Sequence, residues 1–205
     1  MTEQTYRVLL DANILYSRTL RDWICLLSYE TENRFFQLYS SEDIIIEAGY
    51  HWRKTHPDKS GFAQEQIFNG IRGAMYEVAS RYGTDKPPKY PDPGDYHVHS
   101  AAVACEVDAL VTADDKLLEY AQSSYGDELP YETLTADEFL MQLTEYVPLS
   151  VFVKVFTDQE EYWSNPKNNR KLDAEGVDLP RALVKAGAPN FAEFVRRRVI
   201  PELRD

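Results

Sequence analysis

The chain has 205 residues, 43% of them hydrophobic, enough to bury a sizeable core in one domain with a helical appendage. Its formal net charge of −12 argues against a general phosphate-binding surface, because nonspecific nucleic-acid affinity comes mainly from Lys and Arg displacing counterions. Cys25 and Cys105 lack the spacing of a disulfide framework or zinc site, and neither a secretory leader nor a membrane-length apolar run is present, so a soluble cytoplasmic protein with no membrane partner is expected.

In chain order, "YRVLL" reads as a short apolar strand of the kind buried on both faces of a parallel sheet. "ANILYSRTLRDWICLLSYE" follows with Leu20, Trp23, Ile24 and Leu27 at helical spacing, which opens a βα unit. "RFFQLYS" reads as a second strand, with Ser40 or Ser41 as the N-cap of a helix through "SEDIIIEAGYHWRK" that ends near His56 and Pro57. A third helix is expected from about Ala63 to Arg81, then a loop, "YGTDKPPKYPDPGD", in which prolines and glycines forbid regular structure. "DYHVHSAAVACEV" reads as a helix with a small-residue face, "DALVTAD" as a strand, "DKLLEYAQ" as a short helix and "YETLT" as a last strand. Thr135 to Glu138 has the form of a capping box opening "ADEFLMQLTEY". From Pro148, "PLSVFVKVFTDQEEYW" and "LPRALVKAGAPNFAEFVRRRV" read as helices joined by the polar loop "SNPKNNRKLDAEG". Strands alternating with helices predict an α/β fold with a mainly parallel sheet. The acidic excess falls in residues 1–147, whereas basic and acidic side chains nearly balance from Pro148 onward.

In open parallel sheets, ligands bind beyond the carboxyl ends of the strands. Asp11 ends the first strand, Asp114 ends "DALVTA", Asp95 closes the Pro-rich loop, and Glu47 interrupts the apolar run "IIIEAGYHW". Such acids without nearby lysines would repel one another unless a hard divalent ion, Mg²⁺ or Mn²⁺, sat among them. Asn13 is placed to hold one of them by a hydrogen bond. Each also has a plainer reading: Asp11 and Asp95 suit helix N-caps, Glu47 suits the wet edge of its helix, and Asp114 competes with Asp115.

"VLLDANIL", the helix bearing Glu47, "DPGDYHVHSAAVA" and "DALVTADDKLL" follow in an order and spacing that resembles the PIN-domain ribonucleases, in particular the VapC-type toxins of bacterial toxin–antitoxin pairs. The resemblance covers about residues 6 to 140. The family's four acids fall on Asp11, Glu47, Asp95 and Asp114, as catalytic residues and metal ligands. "DPGD" also offers Asp92 and "TADD" offers Asp115; Asp95 is preferred because it directly precedes the helix, Asp114 because it directly follows the strand. Residues 1–134 would form the PIN-like nuclease domain. Residues 135–205 resemble the helical C-terminal domain attached to a subset of these toxins. The resemblance implies metal-dependent hydrolysis of RNA phosphodiester bonds leaving a 5′-phosphate, structured RNA such as tRNA or rRNA as substrate, a cognate antitoxin that blocks the site, and homodimers.

Other chemistries lack their residues. Asn13 stands where a haloacid-dehalogenase-type phosphatase needs a second Asp. No GxxxxGK[ST], GxGxxG, HExxH or GxSxG is present. The rivals that remain are a catalytically inactive PIN-fold docking module and a metal-dependent phosphatase. His97 and His99 point to different helix faces, and His51 and His56 read as surface residues. Arg196, Arg197 and Arg198, with Lys167, Arg170 and Lys171 upstream, suit either phosphate contact or mere solvation of a helix. The loop from Gly83 to Gly94 suits either substrate approach or plain connection.

Overall fold

A computed structural model describes residues 5–165 and 178–203. Five parallel strands, β1 (Tyr6–Leu10), β2 (Phe36–Ser41), β3 (Glu77–Ala79), β4 (Ala109–Val111) and β5 (Glu132–Leu134), form one sheet in the order β3-β2-β1-β4-β5. β1 is central because Val8, Leu9 and Leu10 are fully buried, a property only an inner strand covered on both faces can use. Its register partners are Phe36 opposite Tyr6 on one side and Val111 opposite Leu10 on the other.

The helices are α1 (Ala12–Tyr16), α2 (Arg18–Glu30), α3 (Glu42–Thr55), α4 (Gly61–Ala74), α5 (Tyr96–Ala104), α6 (Asp115–Ala121), α7 (Ala136–Tyr146), α8 (Leu149–Ser164), α9 (Leu179–Lys185), α10 (Pro189–Phe194) and α11 (Ile200–Glu202), with a π-helical stretch at Val195–Val199. The expected stripe of Leu20, Trp23, Ile24 and Leu27 is buried. The first helical run is broken at Ser17, whose extended backbone separates α1 from α2. Ser41 is the N-cap of α3 and accepts from the Ile44 amide at 3.2 Å. The capping box of Thr135 and Glu138 is formed in full.

The third helix is shorter than its sequence suggests. It ends at Ala74, and β3 occupies part of the span read as helical to Arg81. A three-residue edge strand is too brief to impose an alternating pattern, and it is defined by pairing to β2 (Tyr39 opposite Glu77) rather than by its own residues. The Pro-rich loop has no strand or α-helix, and its chain is fastened down. Tyr90 is buried with its ring against Tyr96, His99 and Tyr120, and the Asp85 amide donates to Ser100 Oγ at 2.8 Å.

A single apolar cluster runs from Val8 to Val199. Phe36 of β2 meets Phe139 of α7 edge to face at 5.4 Å, and Trp23 of α2 meets Phe191 of α10 at 5.1 Å. Asp137, itself buried on α7, accepts from the Phe191 amide at 2.9 Å and from Asn190 Nδ2 at 2.7 Å, so it caps α10 from a neighbouring helix. Cys25 and Cys105 are free thiols, pushed up to about 12 and about 11 by burial. Among the described residues no helix is long and apolar enough to cross a membrane. Lys167, Arg170, Lys171 and most of the polar loop around them lie outside the described residues.

Candidate active site

The sheet register builds the site's floor. Leu10 pairs with Val111, and the ladder continues through a hydrogen bond from the Asp11 amide to the Val111 carbonyl at 3.1 Å, so the next residues, Asp11 and Thr112, emerge side by side at the carboxyl edge. Asp11 is only 5% exposed. Its Oδ2 accepts from the Thr112 hydroxyl at 2.6 Å and from Asn13 Nδ2 at 2.7 Å, and its Oδ1 accepts from the Ala12 amide at 2.6 Å. Burial pushes this carboxyl up from its ordinary range; Thr112, Ala12 and Asn13 pull it back, while the charge of Glu47 adds to the rise. Asn13 Oδ1 in turn accepts from the Ala113 amide at 2.9 Å, tying α1 to the segment after β4.

Asp114 caps α6 with Oδ1, which accepts from the Lys116 and Leu117 amides at 2.8 and 3.2 Å, and its own amide donates to Thr112 Oγ1 at 3.0 Å. Asp115 is exposed in the first turn of α6. Glu47 projects from α3 with its side chain 38% exposed, and its oxygens lie 3.2 Å from His97 Nε2 and 3.7 Å from His51 Nε2. The His97 contact is at ion-pair distance but outside hydrogen-bond alignment, leaving His97 Nε2 without a hydrogen-bond partner.

Asp95 differs from the other acids. It occupies the N-cap of α5, yet its side chain makes no cap hydrogen bond; the neighbouring Asp92 does that work one turn earlier, accepting from the Gly94 amide at 2.8 Å. Its carboxyl is pushed up to about 6, first by burial and then by the negative charges of Asp11, Asp92, Asp114 and Glu47. The charges of Asp11, Glu47 and Asp114, the other three acids expected from the sequence, therefore all reach Asp95. Asp92 adds its own charge to theirs.

The donor set suits a hard divalent cation: it is all oxygen, it is anionic, and after burial the charges that act most on Asp95 are carboxylates. Among the described residues no three His, Cys, Asp or Glu side chains converge on a common point as ligands. Mg²⁺ typically keeps several waters and takes one or two carboxylates, so three converging protein ligands are not required. The acids line an open rim. The cavity of about 510 Å³ between α2, α4 and α8, lined by Arg18, Cys25, Ile71 and Trp163 among others, includes none of them.

Sequence reasoning missed Thr112, which bonds to Asp11, Asn13 and Asp114 at once. Its signal was its register position beside Asp11, which exists only once β1 and β4 are paired. His51 and His97 were not linked to Glu47 either; His51 lies one helical turn after it on α3, the only hint the sequence holds.

A parallel α/β domain with carboxylates at the carboxyl edge of its central strands puts its acids where open sheets bind ligands, and its sequence has neither a nucleotide loop nor a nucleophile elbow. The sequence model of the PIN domain matches residues 7–116, more than half of the chain, and the protein belongs to the PIN-domain family. That membership assigns a nuclease-type function. No curated protein and no solved structure matches the chain.

Proposed function

We propose that this protein is a divalent-metal-dependent endoribonuclease, the toxin of a toxin–antitoxin pair, acting in the cytoplasm on structured RNA such as tRNA or rRNA. The observation that carries the nuclease reading is Asp95: a half-buried carboxylate that caps nothing, set in the field of Asp11, Asp92, Asp114 and Glu47. An arrangement that raises the energy of its own ionised state has no value to folding and is the state a divalent cation relieves.

Asp11, Glu47, Asp95 and Asp114 would hold the Mg²⁺ or Mn²⁺. When bound, such an ion neutralises the scissile phosphate and activates water for in-line attack. The chain's own part is positional. Thr112, Asn13 and the Ala12 amide hold Asp11 in one orientation, and the cap on α6 does the same for Asp114. His51 and His97 flank Glu47 and, when protonated, would compete with the cation for it. No side chain becomes the nucleophile, which accords with cysteine thiols held far above neutrality by burial. In this reading residues 135–205 form a helical C-terminal domain, the toxin is a homodimer, and the cognate antitoxin blocks the site by placing a cation of its own among the acids.

Incubating the protein with bulk tRNA and Mn²⁺, then analysing product ends, tests the reading. Cleavage that leaves 5′-phosphates, needs Mn²⁺ or Mg²⁺, and is abolished by Asp95→Asn is expected. Turnover of small phosphomonoesters with RNA left intact would instead make the protein a phosphatase.

A further inference from the structure

The molecule carries a large negative charge, and its acidic rim repels phosphate until a cation binds. A polyanionic substrate therefore needs a second, cationic hold elsewhere. Arg196, Arg197 and Arg198 lie in the π-helical stretch Val195–Val199, where the Ile200 amide reaches back five residues to the Val195 carbonyl. This wider winding buries Val195 and Val199 while all three intervening arginines stay exposed. Three consecutive exposed cations thus lie between two core anchors. π-helical turns are rare and recur at functional sites.

The patch is not neutralised. Glu193 is the acid facing it, 3.7 Å from Arg196 and also paired with Arg197; Arg198 has no carboxylate partner among the described residues. Crowding three guanidinium groups against one carboxylate costs stability rather than adding it. Below, the turn is rigid: Phe194 packs on Phe152 at 5.2 Å and on Phe191 at 5.8 Å, and Asp137 fixes the start of α10. Exposed guanidinium groups on a packed base match the bidentate geometry of phosphate oxygens better than lysines would.

We propose that the Arg196–Arg197–Arg198 turn is an RNA-backbone exosite: it holds substrate phosphates independently of sequence and apart from the acidic rim. This inference rests on the ribonuclease reading for the identity of the polyanion. RNA that engages both turn and rim gains from the exosite; a fragment held at the rim alone does not.

The test compares the full-length protein with the triple variant R196Q/R197Q/R198Q by two readouts. The first is binding of labelled bulk tRNA in EDTA, where no cleavage occurs, across a salt series. The plot of log affinity against log salt is expected to flatten by about 2 in slope, at roughly 0.7 to 0.9 per phosphate contact, so the variant loses roughly 20-fold less affinity than wild type between 50 and 200 mM salt. The second is Mn²⁺-dependent cleavage of a trinucleotide, which carries almost no backbone beyond the cleaved bond for the turn to hold; this cleavage should be unchanged and certifies the fold. The lysine variant R196K/R197K/R198K should restore most of the slope. Equal affinities and slopes for wild type and the glutamine variant would overturn the exosite, even with cleavage intact. Failure of wild type to cleave either RNA, with the slope difference present, would count against the nuclease reading and leave the exosite standing.

Discussion

The Thr112 hydroxyl donates to Asp11 Oδ2 at 2.6 Å, across the boundary between the two central strands. The same oxygen accepts from Asn13 Nδ2 and from the Asp114 amide, so one buried hydroxyl joins two acids that lie more than a hundred positions apart in the chain. Thr112→Val keeps the shape and removes all three bonds. Leaving these partners unsatisfied should cost about 1–3 kcal/mol. It should also raise the Asp11 carboxyl further, because Thr112 is the strongest influence holding it down. Urea unfolding at pH 7 checks the loss, and RNA cleavage should fall with it, while Thr112→Ser retains both. A valine variant as stable and active as wild type would mean that Thr112 does not position the site.

Asp95 makes stability depend on pH in a direction opposite to most carboxylates. Its folded value of about 6 stands above the ordinary 3.8. The acid therefore favours the native state fully below about pH 4, and that contribution is lost as the pH rises through 6. Asp95→Asn removes the penalty, so without metal the variant should be more stable than wild type at pH 8 by about 1–2 kcal/mol, after allowing for the solvent that screens a half-exposed group. The gap should close below pH 5. Added Mn²⁺ should reverse the order, stabilising wild type more than the variant. A metal-free Asn variant that is markedly less stable at pH 8 would give Asp95 a structural role.

Asp137 ties the helices after α7 to the rest of the molecule. It accepts from the Asn190 amide and side chain and from the Phe191 amide, and it is buried. Asp137→Ala leaves three donors unpaired at the start of α10, with an expected cost of about 2–3 kcal/mol in thermal or denaturant unfolding. Asp137→Asn should cost less, since one carbonyl oxygen can still accept. Activity per folded molecule should be unchanged in both. If it falls while the fold is intact, Asp137 has a part in substrate handling.

The fold was readable where one segment decides its own structure. The apolar run at Tyr6–Leu10, the helical stripe through Leu20 and Leu27, and the capping box at Thr135 each carry their signal locally. β3 was hidden because three residues at a sheet edge have no period, and the break at Ser17 because Ala12 to Glu30 is apolar at helical spacing on both sides of it. The acids were visible as carboxylates at strand ends and on one helix, and the charges of Asp11, Glu47 and Asp114 all bear on Asp95. What the sequence could not supply is how they are held. Thr112 next to Asp11 is a consequence of strand register, and His97 against Glu47 a consequence of α5 packing on α3. The π-helical winding through Arg196, Arg197 and Arg198 is likewise invisible to an α-helical reading of that run.

In the proposed function Asp11, Glu47, Asp95 and Asp114 act together to hold a divalent cation. Calorimetric titration of Mn²⁺ into the metal-free protein at pH 7.5 measures it directly, beside the same titration of Asp11→Asn and Asp95→Asn. Wild type should give saturable heat, with proton release that grows as the starting pH is lowered toward 6, where Asp95 begins protonated. Each variant should bind at least about tenfold more weakly, as loss of one charged ligand from a small set requires. Equal and negligible heat from all three proteins would contradict the claim and leave a PIN fold that serves as a docking platform.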